Sequence, residues 1–383
     1  MRHARSGGTE RYLDQLAAFL AGAGHEVTIL CRRHVEAPHP LVRFEVLRPI
    51  AVGGAWRMWS FALAVEEFVS ARRGDFDLVV GLGKTWSHDV MRLGGGVQRT
   101  YLELAHRATR EGPEKLIARF DLKQRFACAI EERALRPGAA RKWICNSAMV
   151  RRDVLARFAL PEADVVVVHN GVDPERFHPR LRASEGAELR RALGLLPDEL
   201  VVLFLGTGYG RKGLRRALEG FALAQRAGAR ARLLVVGYDS ALERYRSLAG
   251  ELGVAERCLF LGGRGDAPAC FAASDLYVLP TLYDPFANST LEALASGLPV
   301  LTSDTNGAAE LLTPGREGEV SAQGETDAQF AERLARWLDR ERVEAARPHA
   351  RALAEANSDA LAMRRTWSVL EQAAAVAQGA SGA

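Results

Sequence analysis

The chain lacks any apolar run of about 18 residues, the length that a bilayer-spanning helix requires, so such a helix is not expected. Its N-terminus shows no apolar signal region, and residence in the cytoplasm is expected. Cysteine is sparse. Cys31, Cys128, Cys145, Cys258 and Cys270 are dispersed, with no pair at metal-ligand or redox spacing, which fits reduced thiols and not a disulfide framework. Strong charge of one sign is missing too. A net charge of +4 gives no nucleic-acid footprint, yet it is compatible with an anionic membrane surface or a phosphorylated ligand. No convincing Asp-x-Asp metal motif occurs. The "DFD" of Asp75–Asp77 has the letters but leads into a strand and reads as a turn. No metal and no cofactor are expected.

What is present is alternation. In the first half "HEVTIL" (His25–Leu30), "FDLVVGLG" (Phe76–Gly83) and "KWICNS" (Lys142–Ser147) read as buried strands, with helices over Thr9–Ala21 and Lys115–Leu135. In the second half "LVVLFLG", "RLLVVG", "CLFLGG", "DLYVLP" and "LPVLTS" each end in Gly, Pro or Ser, with helices such as Gly213–Arg226 and Leu242–Leu252 between them. Apolar strands alternating with helices predict parallel α/β sheets, and two such blocks predict two Rossmann-like domains. With 383 residues, two domains are also the default. The expected domains are 1–168 and 169–356. A C-terminal helix and a disordered tail follow over 357–383, the disorder falling on "QGASGA". One gap stands out: "MRHARSGGTE" has no strand before its Gly-Gly, so either the first strand of the N-terminal sheet is missing, the favoured reading, or the sheet begins differently.

Several motifs carry chemistry. "SGGTERYL" (Ser6–Leu13) is a Gly-Gly turn feeding a helix, which suits an anion and equally suits a plain turn capped at Ser6 or Thr9. "FLGTGYGRKGLRRALEGF" (Phe204–Phe221) sets Arg211 and Lys212 just before Gly213 and a helix, an arrangement that suits a pyrophosphate. It has neither P-loop order nor G-x-G-x-x-G order. The alternative is solvated loop charge. Arg264 in "FLGGRGDAPACF" follows another strand end and has a guanidinium that can stack on a base, or is a lone surface Arg. "VVGYDS" (Val235–Ser240) is a strand end with no residue singled out. In "LYDPFANSTLEALASGLPV" (Leu282–Val300) the Ser289–Glu292 spacing is that of a capping box. The functional alternative has Glu292 accepting from ribose hydroxyls, Asp284 accepting from sugar hydroxyls, and Ser289 and Thr290 assisting phosphate at a helix start.

These motifs resemble the family-4 retaining glycosyltransferases of GT-B fold. The marks are "GRKG" (Gly210–Gly213), the acid-x7-Glu pattern Asp284–Glu292, "EALASGLPVLTS" (Glu292–Ser303) and "NGAAELL" (Asn306–Leu312). Within the family, "GTGYGRKG", "VVGYD", "LGGRGD" and "VVGLGKTWSHDVMRLGGGVQRTYL" (Val79–Leu102) resemble the lipopolysaccharide core glucosyltransferase I group. The resemblance implies two Rossmann-like domains facing a central cleft, with the last helix crossing back to the first domain. It implies donor-binding roles for Gly7, Gly8, Gly206, Thr207, Arg264, Phe286, Ala287, Asn288, Ser289, Thr290 and Glu292. Asp284, Arg211 and Lys212 take the catalytic positions, and Lys84, Asp89 and Gln98 lie on the acceptor side.

The implied activity is transfer of a hexose, glucose from UDP-glucose, to heptose of a lipopolysaccharide core, with retention and without a metal. The implied partners are a nucleotide sugar and a lipid-linked or core oligosaccharide at the inner face of the cytoplasmic membrane, and no nucleic acid. The stretch Arg99–Arg125 holds seven Lys or Arg against four Asp or Glu, an interfacial patch or an ordinary amphipathic surface. Three departures from the family pattern stand out. Asp284 replaces the usual Glu, Thr207 stands where Arg is frequent, and Gln98 sits near an expected His and cannot act as a base. The other readings are a non-hydrolysing UDP-sugar epimerase and an inactive nucleotide- or glycan-binding relative.

Overall fold

The computed structural model describes residues 8–34, 39–50, 53–108 and 122–380, with side chains described except at 105–108 and 376–380. The chain divides into two compact units, one of residues 1–169 with 359–383 and one of residues 170–358. Each is an α/β unit with parallel strands.

In the first unit, β1 (Val27–Cys31) pairs in parallel with β2 (Val42–Val46). A second parallel sheet runs in the order β3 (Val80–Gly81), β4 (Val90–Leu93), β5 (Lys142–Cys145), β6 (Val165–Val167). The same helices cover both sheets. Helix Gly8–Gly22 sets Ala17 and Ala21 on Ile29 and Val42, while Tyr12 and Leu16 lie with Val90 and Ile144. Helix Gly54–Ala71 puts Val65 and Val69 beside Leu30 and Val79, and Ala62 with Met91 and Leu93. The strandless start over Met1–Gly7 lies outside the described residues.

The last helix, Asp359–Ala380, belongs to this unit. Met363 and Leu370 join the Tyr12–Leu16 cluster, the Tyr12 and Thr366 hydroxyls pair at 3.0 Å, and Arg141 Nη1 donates to the Ala373 carbonyl at 2.9 Å. Helix continues through Gln378–Ala380, where a disordered tail was expected, and 381–383 lie outside the described residues.

The second unit holds one six-stranded parallel sheet in the order β12-β11-β10-β7-β8-β9. Its strands are β7 (Leu200–Leu205), β8 (Ala231–Val236), β9 (Cys258–Gly262), β10 (Leu276–Leu279), β11 (Val300–Ser303) and β12 (Gly318–Ser321). Val201–Phe204 and Val278–Leu279 are almost wholly buried, as continuous apolar strands covered on both faces should be. Because all six run one way, the segments after β7 to β11 share the carboxyl edge, where open α/β sheets bind ligands. At the other edge Asp275, wholly buried, receives Arg182, Arg190 (3.3 Å), Arg347 (2.9 Å) and the Val201 amide (2.9 Å). These interactions tie three helical segments to the sheet.

Candidate functional site

The turn after β7 is built from glycines that other atoms require. A side chain on Gly206 would press on the aliphatic stem of Lys212, whose carbons lie 3.1–3.4 Å from the Cβ position. Gly213 has φ +80° and faces the Pro280 carbonyl. Between them, Tyr209–Lys212 form one helical turn, capped at both ends by glycines in the left-handed region. That turn is anchored twice. Tyr209 N–H donates to Asp239 Oδ2 at 2.6 Å, and the Tyr209 hydroxyl donates to the Gly237 carbonyl at 2.9 Å. The Arg211 carbonyl accepts from Leu282 N–H (2.8 Å) and the Thr281 hydroxyl (2.9 Å).

So held, Arg211 and Lys212 converge on Asp284. Arg211 Nη1 lies 2.8 Å and Lys212 Nζ 2.6 Å from Asp284 Oδ2, and Oδ1 accepts the Phe286 amide at 3.2 Å. Lys212 and Asp284 are buried, while Arg211 is about one third exposed. Burial opposes ionisation of Asp284, but the Lys212 and Arg211 cations outweigh it and hold its pKa below the usual carboxylate value.

Helix Asn288–Ala295 begins beside this group; a helix start leaves amides outside the i to i−4 ladder, and of these the Thr290 N–H donates to the Ala287 carbonyl at 2.9 Å. The capping-box alternative for Ser289 and Glu292 fails. Ala287 is the N-cap, and Ser289 lies one residue inside the helix. The Ser289 hydroxyl pairs with buried Tyr277 at 2.7 Å, and Thr290 Oγ1 accepts from Asn306 at 3.0 Å, so both hydroxyls already have protein partners instead of serving a phosphate alone. Burial raises the Tyr277 pKa, so its phenol stays protonated. The Phe286 and Ala287 amides, expected around a sugar, are engaged as well. Phe286 N–H donates to Asp284, and Ala287 N–H donates to Asn306 Oδ1 at 3.1 Å. Asn288 Oδ1 accepts from Asn170 at 2.6 Å. Glu292 is buried one turn into the helix. Thr207 is exposed at the loop. Arg264 follows β9, with both its Nε and Nη2 on the Asp266 carboxylate, so its plane is set by a neighbour two residues away.

Sequence reasoning missed Asn306 and Asp239. Asn306 is nearly fully buried and uses its whole amide. Oδ1 accepts from Ala287 and Ala308 N–H, and Nδ2 donates to Thr290 and Thr302. It brackets the Asp284–Thr290 loop against β11. Asp239 stands in "VVGYDS" as the acceptor for the Arg211–Lys212 turn. Such acceptors lie far from their partners in sequence, and no spacing rule marks them.

In the first unit, Lys84 and Gln98 meet on buried Glu131, another residue sequence reasoning missed. Lys84 Nζ is 3.1 Å from its carboxylate, Gln98 N–H donates to both oxygens, and the Gln98 side chain donates to Gln124 at 2.8 Å. Asp89 does not join them. It precedes β4 at the amino edge, where it binds Arg73, Arg141 and the Val79 amide (2.8 Å), so its work there is structural and the acceptor-side expectation for it is corrected. Gly8 is the first residue of its helix, and Gly7 lies outside the described residues. Among the described residues no group of three or more His, Cys, Asp or Glu is placed to hold a metal.

Comparison with known proteins finds two matching family models: Glycosyltransferase Family 4 over residues 6–176 and Glycosyl transferases group 1 over 186–357. The lipopolysaccharide glucosyltransferase WaaG of Escherichia coli is 31% identical over 169 residues, covering 44% of this chain and 45% of that protein. The chain thus spans about half the length of the first curated relatives it matches. Among solved structures, WaaG aligns with a TM-score of 0.79 at 21% identity over 96% of this chain and 97% of its own. Anabaena HepE in complex with UDP and glucose aligns at 0.69 and 19% identity, over 97% and 98%. At those identities the two structures establish the fold.

Proposed function

Because this chain belongs to the family-4 glycosyltransferases of GT-B fold, we propose that it moves a hexose from a nucleotide diphosphate sugar to a saccharide, with retention at the anomeric carbon. The observation that carries this reading is the convergence of Arg211, Lys212 and Asp284 beside the start of helix Asn288–Ala295, on the carboxyl edge of a parallel sheet.

The reaction breaks the bond from the anomeric carbon to a diphosphate oxygen and forms one to an acceptor hydroxyl oxygen. Negative charge grows on the leaving diphosphate. In this reading Arg211, Lys212 and the first-turn amides stabilise that charge, and they are already in place before the reaction. Side-chain cations, not a metal, do this work. A leaving phosphate oxygen takes the acceptor proton on the face where the diphosphate departs, so no enzyme nucleophile is needed. Glu292 accepts from the ribose hydroxyls, Arg264 lines the base, and the Asp284 loop borders the sugar. UDP-glucose is the proposed donor, supported by the glucosyltransferase name of WaaG and by the UDP and glucose bound to HepE.

The proposed acceptor is heptose of a lipopolysaccharide core, with Lys84, Gln98 and Glu131 on its side. A peripheral contact with an anionic membrane goes with such an acceptor. It is supported by exposed Trp56 (54%) and Leu122 (57%), at helix starts that also carry Arg57, Lys123 and Arg125. About half of the basic stretch Arg99–Arg125, residues 109–121, lies outside the described residues. No described helix is long and apolar enough to cross a membrane.

The test is transfer of labelled sugar from UDP-, GDP- and ADP-sugars to a deglycosylated core acceptor. Lys212→Ala and Asp284→Ala should each cut transfer at least about tenfold, roughly 1.4 kcal/mol in the barrier. Unchanged turnover in both variants, or a C2 epimer formed without acceptor, defeats the assignment.

A further inference from the structure

The two cations of the proposed diphosphate site share one anion. Arg211 and Lys212 both address Asp284 Oδ2, and the second carboxylate oxygen takes the Phe286 amide. The Asp284 main chain is held on both sides. Its N–H donates to the Thr305 carbonyl at 2.9 Å, and its carbonyl accepts from Gly307 at 2.8 Å. A side chain with one methylene, pinned at its backbone and engaged through both oxygens, cannot swing aside to yield the cations. The nearby Asn306 amide fixes the loop without adding charge. Two cations and one immobile carboxylate leave a site with one net positive charge, and an arriving diphosphate meets a resident negative charge between its own binding groups.

We propose that Asp284 is a counter-charge that weakens the grip of Arg211 and Lys212 on a nucleoside diphosphate, so that this product leaves after each transfer. The inference rests on the assignment of these cations to a diphosphate. It gives Asp284 a role separate from any contact with the transferred sugar. Buried Lys212 without a diphosphate needs a partner, since unpaired charge in a low-dielectric site is strongly disfavoured. The same proximity makes that partner repel phosphate oxygens. A residue that only orders the cations has the opposite signature, because its removal loosens them and weakens phosphate binding.

The experiment is calorimetric titration of the full chain with UDP, GDP, ADP and inorganic pyrophosphate, without sugar or acceptor. Asp284→Asn should bind pyrophosphate and the preferred nucleotide about tenfold tighter than the wild type, as removal of an adjacent like charge predicts. Asp284→Glu, which keeps the charge, should stay within about threefold of wild type. Equal or weaker binding by a folded Asp284→Asn overturns the inference. If that variant does not fold, the comparison moves to Lys212→Gln against Lys212→Gln/Asp284→Asn, where one buried cation has already been removed. There the double variant should bind tighter, and equal or weaker binding overturns the inference again. A wild-type chain that binds none of the four ligands refutes the diphosphate assignment itself, a different result from wild-type binding that Asp284→Asn fails to strengthen.

Discussion

Replacing Gly213 with alanine tests whether the packing of the Tyr209–Lys212 turn is what fixes the cations. A Cβ at Gly213 would stand 1.9 Å from the Pro280 carbonyl oxygen and 2.7 Å from its carbon, in a backbone with φ +80°. Gly208 closes the other end of the same turn, also at φ +80°, and its Cβ position has no heavy atom within 4 Å. The two substitutions therefore separate backbone strain from steric overlap within one element. Gly208→Ala should cost only the left-handed penalty, about 1 kcal/mol. Gly213→Ala adds an overlap that the Pro280 segment cannot relieve by a rotamer change. The next residues, Thr281 and Leu282, are bonded to the Arg211 carbonyl, so the strand end and the turn must part. Over-packing plus strain should raise the total to about 3 kcal/mol or more. For a domain of this size, thermal unfolding should fall by about 2–4 °C for Gly208→Ala and by about 6–12 °C for Gly213→Ala. Pyrophosphate titration supplies a second readout, since a displaced Lys212 leaves Asp284. Equal thermal shifts in the two variants, or Gly213→Ala with normal pyrophosphate affinity, would refute the reasoning.

Asp275→Ala should destabilise the second unit by about 3–5 kcal/mol, because buried arginines lose their shared carboxylate; pyrophosphate affinity should hold, since Asp275 sits on the opposite edge of the sheet, and chemical denaturation with titration checks both. Burial lowers the His88 pKa to about 4, with neighbouring Asp89 opposing the shift, and among the described residues neither ring nitrogen has a hydrogen-bond partner. Its folded pKa lies below the unfolded value, so the unfolded chain binds the proton first. Stability should be intact above pH ~6.5 and fall by about 3 kcal/mol as pH drops towards 4; His88→Phe should lack that component when urea midpoints at pH 7.5 and 4.5 are compared. Glu131→Gln removes the counter-ion of Lys84 at the proposed acceptor side. It should raise the acceptor KM about tenfold while donor hydrolysis without acceptor is unchanged, as a loss of acceptor binding requires.

Legibility differed between the two units for a physical reason. Strands buried on both faces are written as apolar runs, so β7 to β11 could be read directly from "LVVLFLG" through "LPVLTS". β12, "GEVS", has two charged or polar side chains in four residues and gave no such signal. In the first unit β2, "VRFEV", pairs among the described residues only with β1, and its alternation of charge and apolar residues hid it. β3 is just two residues long although "FDLVVGLG" promised more. The chain bends at 83 and 84 just beyond it, and the His88 ring occupies the space a side chain at Gly81 would need.

The site divides along a similar line. Groups that act through their own charge announce themselves, as Arg211 and Lys212 do between glycines and Asp284 does eight positions before Glu292. Groups that act by satisfying other groups do not. Asn306 directs two of its four side-chain hydrogen bonds to the Asp284 loop, Asp239 accepts an amide thirty residues upstream, and Glu131 draws together Lys84 and Gln98 from 47 and 33 residues away. Their sequence neighbourhoods are ordinary, because the geometry they serve exists only after the sheet has brought its carboxyl edge together. Asp89 shows the converse error. It lies between Lys84 and Gln98 in sequence, but those two follow β3 and β4 at the carboxyl edge and meet on Glu131, whereas Asp89 precedes β4 at the amino edge, so proximity in sequence became separation in space. In a parallel α/β unit the edge a residue occupies therefore carries more functional information than the motif that contains it, and the first question for any candidate residue is whether it follows its strand or precedes it.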